Sequence, residues 1–257
     1  MIIYGDYTTD DLILNLPCTE INEIGAIYPI RIMDYKSFIN SSQCLRMTKE
    51  KLKIKEDISN LKLAFFGMIR LYEEILKIDD AKYLEKLVID EFKSLLKLVT
   101  KKDFEFGTYG DKIAFTSEVG EEFFEVNEEN FDDLREIIFK QNVIVEEVEY
   151  EDKEVNKWLK KARKAHNKNG GIEFAEMVAL VKNNCGLTYK EVCNQNIFQL
   201  YIDFKTITLS KSYDTSILFK TVSDKVESVD YTKLNIDDMF KVNEHLKQAS
   251  GLYKKLS

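Results

Sequence analysis

The chain has 257 residues, a formal net charge of −8 at pH 7 and a sequence pI near 5.1, a balance that weighs against broad affinity for nucleic acid or anionic membrane. Its length suffices for one large domain or two small ones. Hydrophobic residues at 44% and charged residues at 32% fit a soluble globular protein, and 10 glycines with 2 prolines predict long helices joined by short connections.

Taken in chain order, residues 2–4, 12–16 and 27–33 are short apolar or alternating runs between turn residues, and they predict three N-terminal strands. Pro29 cannot donate to a ladder, which makes the third an edge strand or the start of one. Asp34 suits the N-cap of a helix carrying Tyr35, Phe38 and Ile39. Ile58, Leu61, Phe65, Met68, Ile69, Tyr72, Ile75 and Leu76 recur at helical spacing, predicting a helix over 56–78. Asp79 or Asp80 caps the next helix, which has Leu84, Leu87, Val88, Leu95 and Val99 on one face.

The period then changes. "FEFGTYGDKIAFTSEVGEEFFEV" alternates around Gly107, Gly110 and Gly120, the pattern of a small antiparallel meander near residues 104–126. Asn130, with Asp133 three residues on, opens a helix that turns Phe131, Leu134, Ile137 and Ile138 inward. "NVIVEEVEYED" reads as a further strand. Trp158, Leu159, Ala162 and Ala165 mark one more helix, and Phe174, Met177, Val178 and Val181 another. The Gly170–Gly171 pair between them is a candidate boundary, though a turn between helices explains it equally well. The expectation is an α+β chain, predominantly α-helical, divided as 1–100, 101–150 and 151–257 or folded as one domain.

Charge is uneven along the chain. Residues 118–154 hold fifteen acids against three bases, a net −12, whereas residues 157–168 hold six bases and no acid. Solvated faces of adjoining elements explain this, and so does an acidic surface for a basic partner.

The stretch "GLTYKEVCNQNIFQL" has the outline of a helix-turn-helix. Gly186 suits a helix C-terminus. Thr188 with Glu191 forms a capping box, and Asn196 with Gln199 nearly forms another. A recognition helix, however, presents polar side chains to base edges from its first turns. The second helix here begins with Ile197 and Phe198, and Leu200, Tyr201, Phe204 and Thr208 continue its stripe, with Ile202 widening it. That is a packing element, and no nucleic-acid contact is expected of it.

Reactive groups are sparse. His166 and His245 are the only histidines, and neither has a ligand at metal-binding spacing. Cys18, Cys44, Cys185 and Cys193 are irregularly spaced, with no Cys-x-x-Cys and no signal-peptide core, so free thiols in a reducing cytosol are expected. No nucleophile elbow or phosphate loop occurs. No apolar run approaches the roughly 18 residues of a membrane span. Carboxylate pairs such as Asp132–Asp133, Glu146–Glu147 and Asp237–Asp238 carry little meaning in so acidic a chain. The residues predict no catalytic, metal-binding or cofactor-binding site.

"YPIRIMDYKSF" at 28–38 followed by Cys44–Leu45, "FEFG" at 104–107, "NFDDLREIIFKQNVI" at 130–144, "KWLKKARKAHNK" and "GLTYKEVCNQNIFQL" together resemble tail-morphogenesis proteins of phages and prophages of Gram-positive bacteria. The resemblance spans roughly residues 28–210, and the tract after Leu209 departs from it. It implies a non-enzymatic factor of the tail assembly chaperone type, working in the host cytoplasm on the tape-measure protein, with tube or baseplate subunits as further partners. A structural subunit of the tail or baseplate shares the resemblance. For such a subunit, N-terminal strand edges would suit joining neighbours, so self-association is open.

Overall fold

The computed structural model describes residues 1–47, 49–52, 58–145, 154, 157, 158, 161, 172–222 and 234–239. Helices dominate the described residues. Two small antiparallel sheets accompany them, one at the N-terminus and one in the middle of the chain, as expected. The chain divides into two compact units, Met1–Ile144 and Val145–Ser257.

In the first unit, β1 (Ile2–Tyr4) pairs with β2 (Tyr7–Thr8). Helix α1 (Thr9–Ile13) then starts where a second strand was expected over 12–16. The correction has a local cause. The Asp11 carboxylate accepts from the Thr8 amide at 2.7 Å and from its hydroxyl at 2.8 Å, and this helix-start chemistry outweighs the apolar run behind it.

Residues 27–33 are likewise not a strand. Ile27 makes one isolated antiparallel bridge to Cys18. Beyond it the backbone bonds elsewhere: the Tyr28 amide donates to the Val99 carbonyl at 2.6 Å, and the Ile30 amide to Asn142 Oδ1 at 3.2 Å. Pro29 has no amide to offer. A 3₁₀ turn at Ile32–Asp34 leads into α2 (Tyr35–Ser41). Asp34 is its N-cap by position, but its side chain makes no capping bond and lies 3.4 Å from Arg31 Nε instead.

After the short α3 (Lys49–Leu52), α4 (Asn60–Leu76) and α5 (Ala81–Thr100) form an antiparallel pair. Helix α4 begins later than residue 56; Ser59 caps it, and residues 53–57 lie outside the described set. Asp80 Oδ1 caps α5 by accepting from the Lys82 and Tyr83 amides. Leu61, Phe65 and Met68 are buried as their spacing predicts, but Ile75 and Leu76 are exposed where α4 runs past the core. On α5, Phe92 and Leu96 join the predicted face of Leu84, Val88, Leu95 and Val99.

The meander comprises β3 (Glu105–Tyr109), β4 (Lys112–Val119) and β5 (Glu122–Val126), in that spatial order. Gly110 and Gly120 turn it with φ of +62° and +66°. Its inner face meets the helices through aromatics. Phe92 stacks on Phe115 at 5.1 Å and tilts against Phe65 at 6.1 Å and Phe131 at 6.4 Å, while Phe106 stacks on Phe65 at 5.1 Å. Helix α6 (Phe131–Gln141) closes this core with Phe131, Leu134, Ile137 and Ile138. Asn130 precedes it as expected, yet its side chain serves the loop behind it: Oδ1 accepts from the Asn127 amide, and Nδ2 donates to the Glu125 carbonyl.

In the second unit, α7 (Phe174–Cys185) ends at Gly186, whose φ of +68° is the left-handed cap the sequence predicts. Helix α8 (Tyr189–Asn194) starts from the Thr188–Glu191 capping box. Asn196 and Gln199 exchange reciprocal bonds of 2.8 Å at the start of α9 (Ile197–Val222), completing the second box. Helix α9 packs on α7. Its burial fades after Leu200; Tyr201 and Phe204 are half-buried and Thr208 is exposed, so the predicted stripe is cored only at its start. The predicted strand over 142–152 falls mostly outside the described residues; its first four, 142–145, contain no strand. Of the helix expected around Trp158, only Trp158 among the named positions is described, and it is helical. Gly170 and Gly171 lie outside the set.

Candidate interaction surface

Among the described residues, no three His, Cys, Asp or Glu side chains are grouped to hold a metal, and no helix is long and apolar enough to cross a membrane. His166 and His245 lie outside the described residues. The four cysteines are free thiols, Cys18 and Cys44 buried, Cys193 half-buried and Cys185 exposed. Burial pushes the Cys18, Cys44 and Cys185 thiols up from their ordinary range. The first turn of α9 offers nothing to base edges from Ile197, Phe198 or Leu200, which are all buried.

Buried polar groups serve the fold. Gln141 Nε2 donates to the Ile27 carbonyl and the Tyr7 hydroxyl, tying the end of α6 to the N-terminal segment. The Tyr72 hydroxyl donates to Glu91 between α4 and α5. Burial holds the Glu91 carboxyl above the usual carboxylate range, while that hydrogen bond pulls the other way.

Of the acidic stretch, residues 118–145 are described together, and their acids lie on the meander, the loop after it and α6. Several of its carboxylates are matched: Glu128 by Lys62 at 3.0 Å, Glu129 by Lys112 at 3.6 Å and Glu136 by Lys140 at 2.6 Å, while Asn60 donates to Asp132. The β4–β5 hairpin differs. Glu118, Glu121, Glu122 and Glu125 have no ion-pair partner within 4.0 Å among the described residues.

Register decides what accompanies them. Glu118 stands opposite Phe123, and Thr116 opposite Glu125. With side chains alternating between faces, these four share the outward face of the sheet. Phe123 is 55% exposed there, while Phe124 beside it is buried. The outward face continues through Tyr109 and Lys112, which line a shallow hollow with Ala114, Glu125, Asn127 and Glu129. Composition had revealed the acids along this stretch. The exposed aromatic among them is not legible there, because "EEFFEV" does not say which phenylalanine points inward.

A family model described as the YomV second domain matches residues 161–235. Over 215 residues, covering 82% of this chain and 82% of the other, the chain is 23% identical to the SPbeta prophage-derived uncharacterized protein YomV of Bacillus subtilis (strain 168). No solved structure matches. The likeness is therefore to a prophage protein of Bacillus, extends over most of both chains, and names no step of tail assembly.

Proposed function

We propose that this chain is a non-enzymatic phage tail morphogenesis factor, a tail assembly chaperone that holds the tape-measure protein until tube subunits enclose it. The observation that carries the reading is the similarity to a prophage-derived protein over 82% of the chain, which agrees in origin with the tail-morphogenesis resemblance of residues 28–210. The chemistry is compatible with it. The unmatched carboxylates of the β4–β5 hairpin attract a lysine-rich helical client.

Co-expression with the tape-measure protein of the same genome tests the reading. A complex that survives size-exclusion chromatography, together with absence of the chain from purified particles by mass spectrometry, is expected. Lack of any complex overturns the reading. Recovery at fixed stoichiometry from mature particles replaces the chaperone with a tail or baseplate subunit. Affinity for the client weakens as salt rises but does not vanish, because apolar contacts are not screened.

A further inference from the structure

We propose that the outward face of the β4–β5 hairpin is the seat for a basic amphipathic helix of a partner protein, centred on Phe123 between Glu118 and Glu125. A single exposed phenylalanine is ordinary on a protein surface. This one is set apart by its surroundings. Glu118 lies directly across the strand pair, and Glu125 lies two residues along β5 on the same face. Neither carboxylate has an ion-pair partner among the described residues, whereas the acids of the adjoining loop and α6 that do pair take Lys62, Lys112 and Lys140. Lys102, near the hairpin, is committed to the opposite face, with its Nζ 3.7 Å from the centre of the Phe124 ring.

The geometry favours docking on the face over pairing at the edge. The Glu125 amide of β5 already donates to the Glu23 carbonyl at 2.8 Å, so an added strand meets a blocked edge. Diagonal positions on adjacent strands are about 7–8 Å apart, which sets the spacing of Glu118 and Glu125. Side chains one turn apart on a helix are about 5–6 Å apart, and lysine stems span the difference. A helix with a leucine over Phe123 and, beside that leucine, two lysines one turn apart satisfies both carboxylates at once.

This site rests on the reading of the chain as a holder of helical clients, and its test separates the two. The probe is a fluorescein-labelled peptide with leucines on one helical face flanked by lysines, titrated into the full chain and followed by anisotropy. A version with every lysine replaced by glutamate is the control. The lysine peptide binds and the glutamate peptide does not. Phe123→Ser and Glu118→Lys each weaken binding about tenfold or more, as expected for a central aromatic anchor and a facing charge. Glu85→Lys, the same charge change on α5, leaves affinity within about twofold because distant exposed charges are screened. Circular dichroism verifies that each variant is folded. Unchanged binding by folded Phe123→Ser, or an equal loss in Glu85→Lys, overturns the site. Tape-measure binding that survives Phe123→Ser sinks the site and leaves the chaperone reading intact. A wild-type chain that binds the peptide but never the tape measure does the reverse.

Discussion

Phe92 is the side chain on which the first unit turns. It lies on α5 at 1% exposure and touches an aromatic ring on each of α4, β4 and α6: Phe65, Phe115 and Phe131. Phe92→Ala removes a ring from the point where helix pair and meander meet, and the three neighbours belong to elements that cannot all collapse into the space. The cost is about 4 kcal/mol, within the usual range for a buried Phe→Ala change and its cavity. With a urea m-value of about 2 kcal/mol/M, the midpoint falls by about 2 M. Phe66 supplies the internal control. It is 50% exposed and meets Phe65 edge-on at 5.6 Å, so Phe66→Ala costs about 1 kcal/mol or less. Urea titrations followed by far-ultraviolet circular dichroism compare the two. The only tryptophan, Trp158, belongs to the second unit, so backbone circular dichroism is the readout. A Phe92→Ala midpoint no lower than that of Phe66→Ala would refute the packing of the meander on α5.

Two further outcomes follow from buried polar groups. A carboxyl whose folded-state pKa lies above its unfolded value stabilises the fold fully only below the unfolded value, and loses that contribution as pH rises through the folded one. Glu91 is such a group, so Glu91→Gln, which still accepts from Tyr72, matches wild type in acid and gains on it in melting temperature as pH rises above the ordinary glutamate range at about pH 4; a difference flat in pH contradicts this. Asn130→Ala strips partners from the Asn127 amide and the Glu125 carbonyl and costs about 1–3 kcal/mol, and Asn130→Asp is at least as damaging because it sets a carboxylate against both the Glu125 carbonyl and Glu23. Thermal melts showing Asn130→Asp as stable as wild type would remove that hydrogen-bond account.

Much of the architecture is legible in local chemistry. Apolar residues at helical spacing mark α4, α5, α6 and α7, and the left-handed glycine at Gly186 and the capping boxes at Thr188 and Asn196 set the ends of the helices around them. Alternation with Gly110 and Gly120 at the turns marks the meander. These signals involve residues within a few positions of each other, so a linear reading captures them. The phage origin suggested by the order of several short motifs agrees with the similarity to a prophage protein.

Tertiary structure alone decided the rest. Residues 27–33 look like a strand, but the partners that take their amides are Val99 and Asn142, the latter 112 positions away from Ile30, and no local rule supplies those acceptors. Ile75 and Leu76 fit a buried stripe until the core proves shorter than the helix. Phe123 and Phe124 are the same residue type side by side, and only the pairing of Glu118 with Phe123 and Ser117 with Phe124 sends one ring into water and the other inward. Period and caps fix what an element is. Which of its faces is left over depends on what packs against it, and that is a property of the assembled chain.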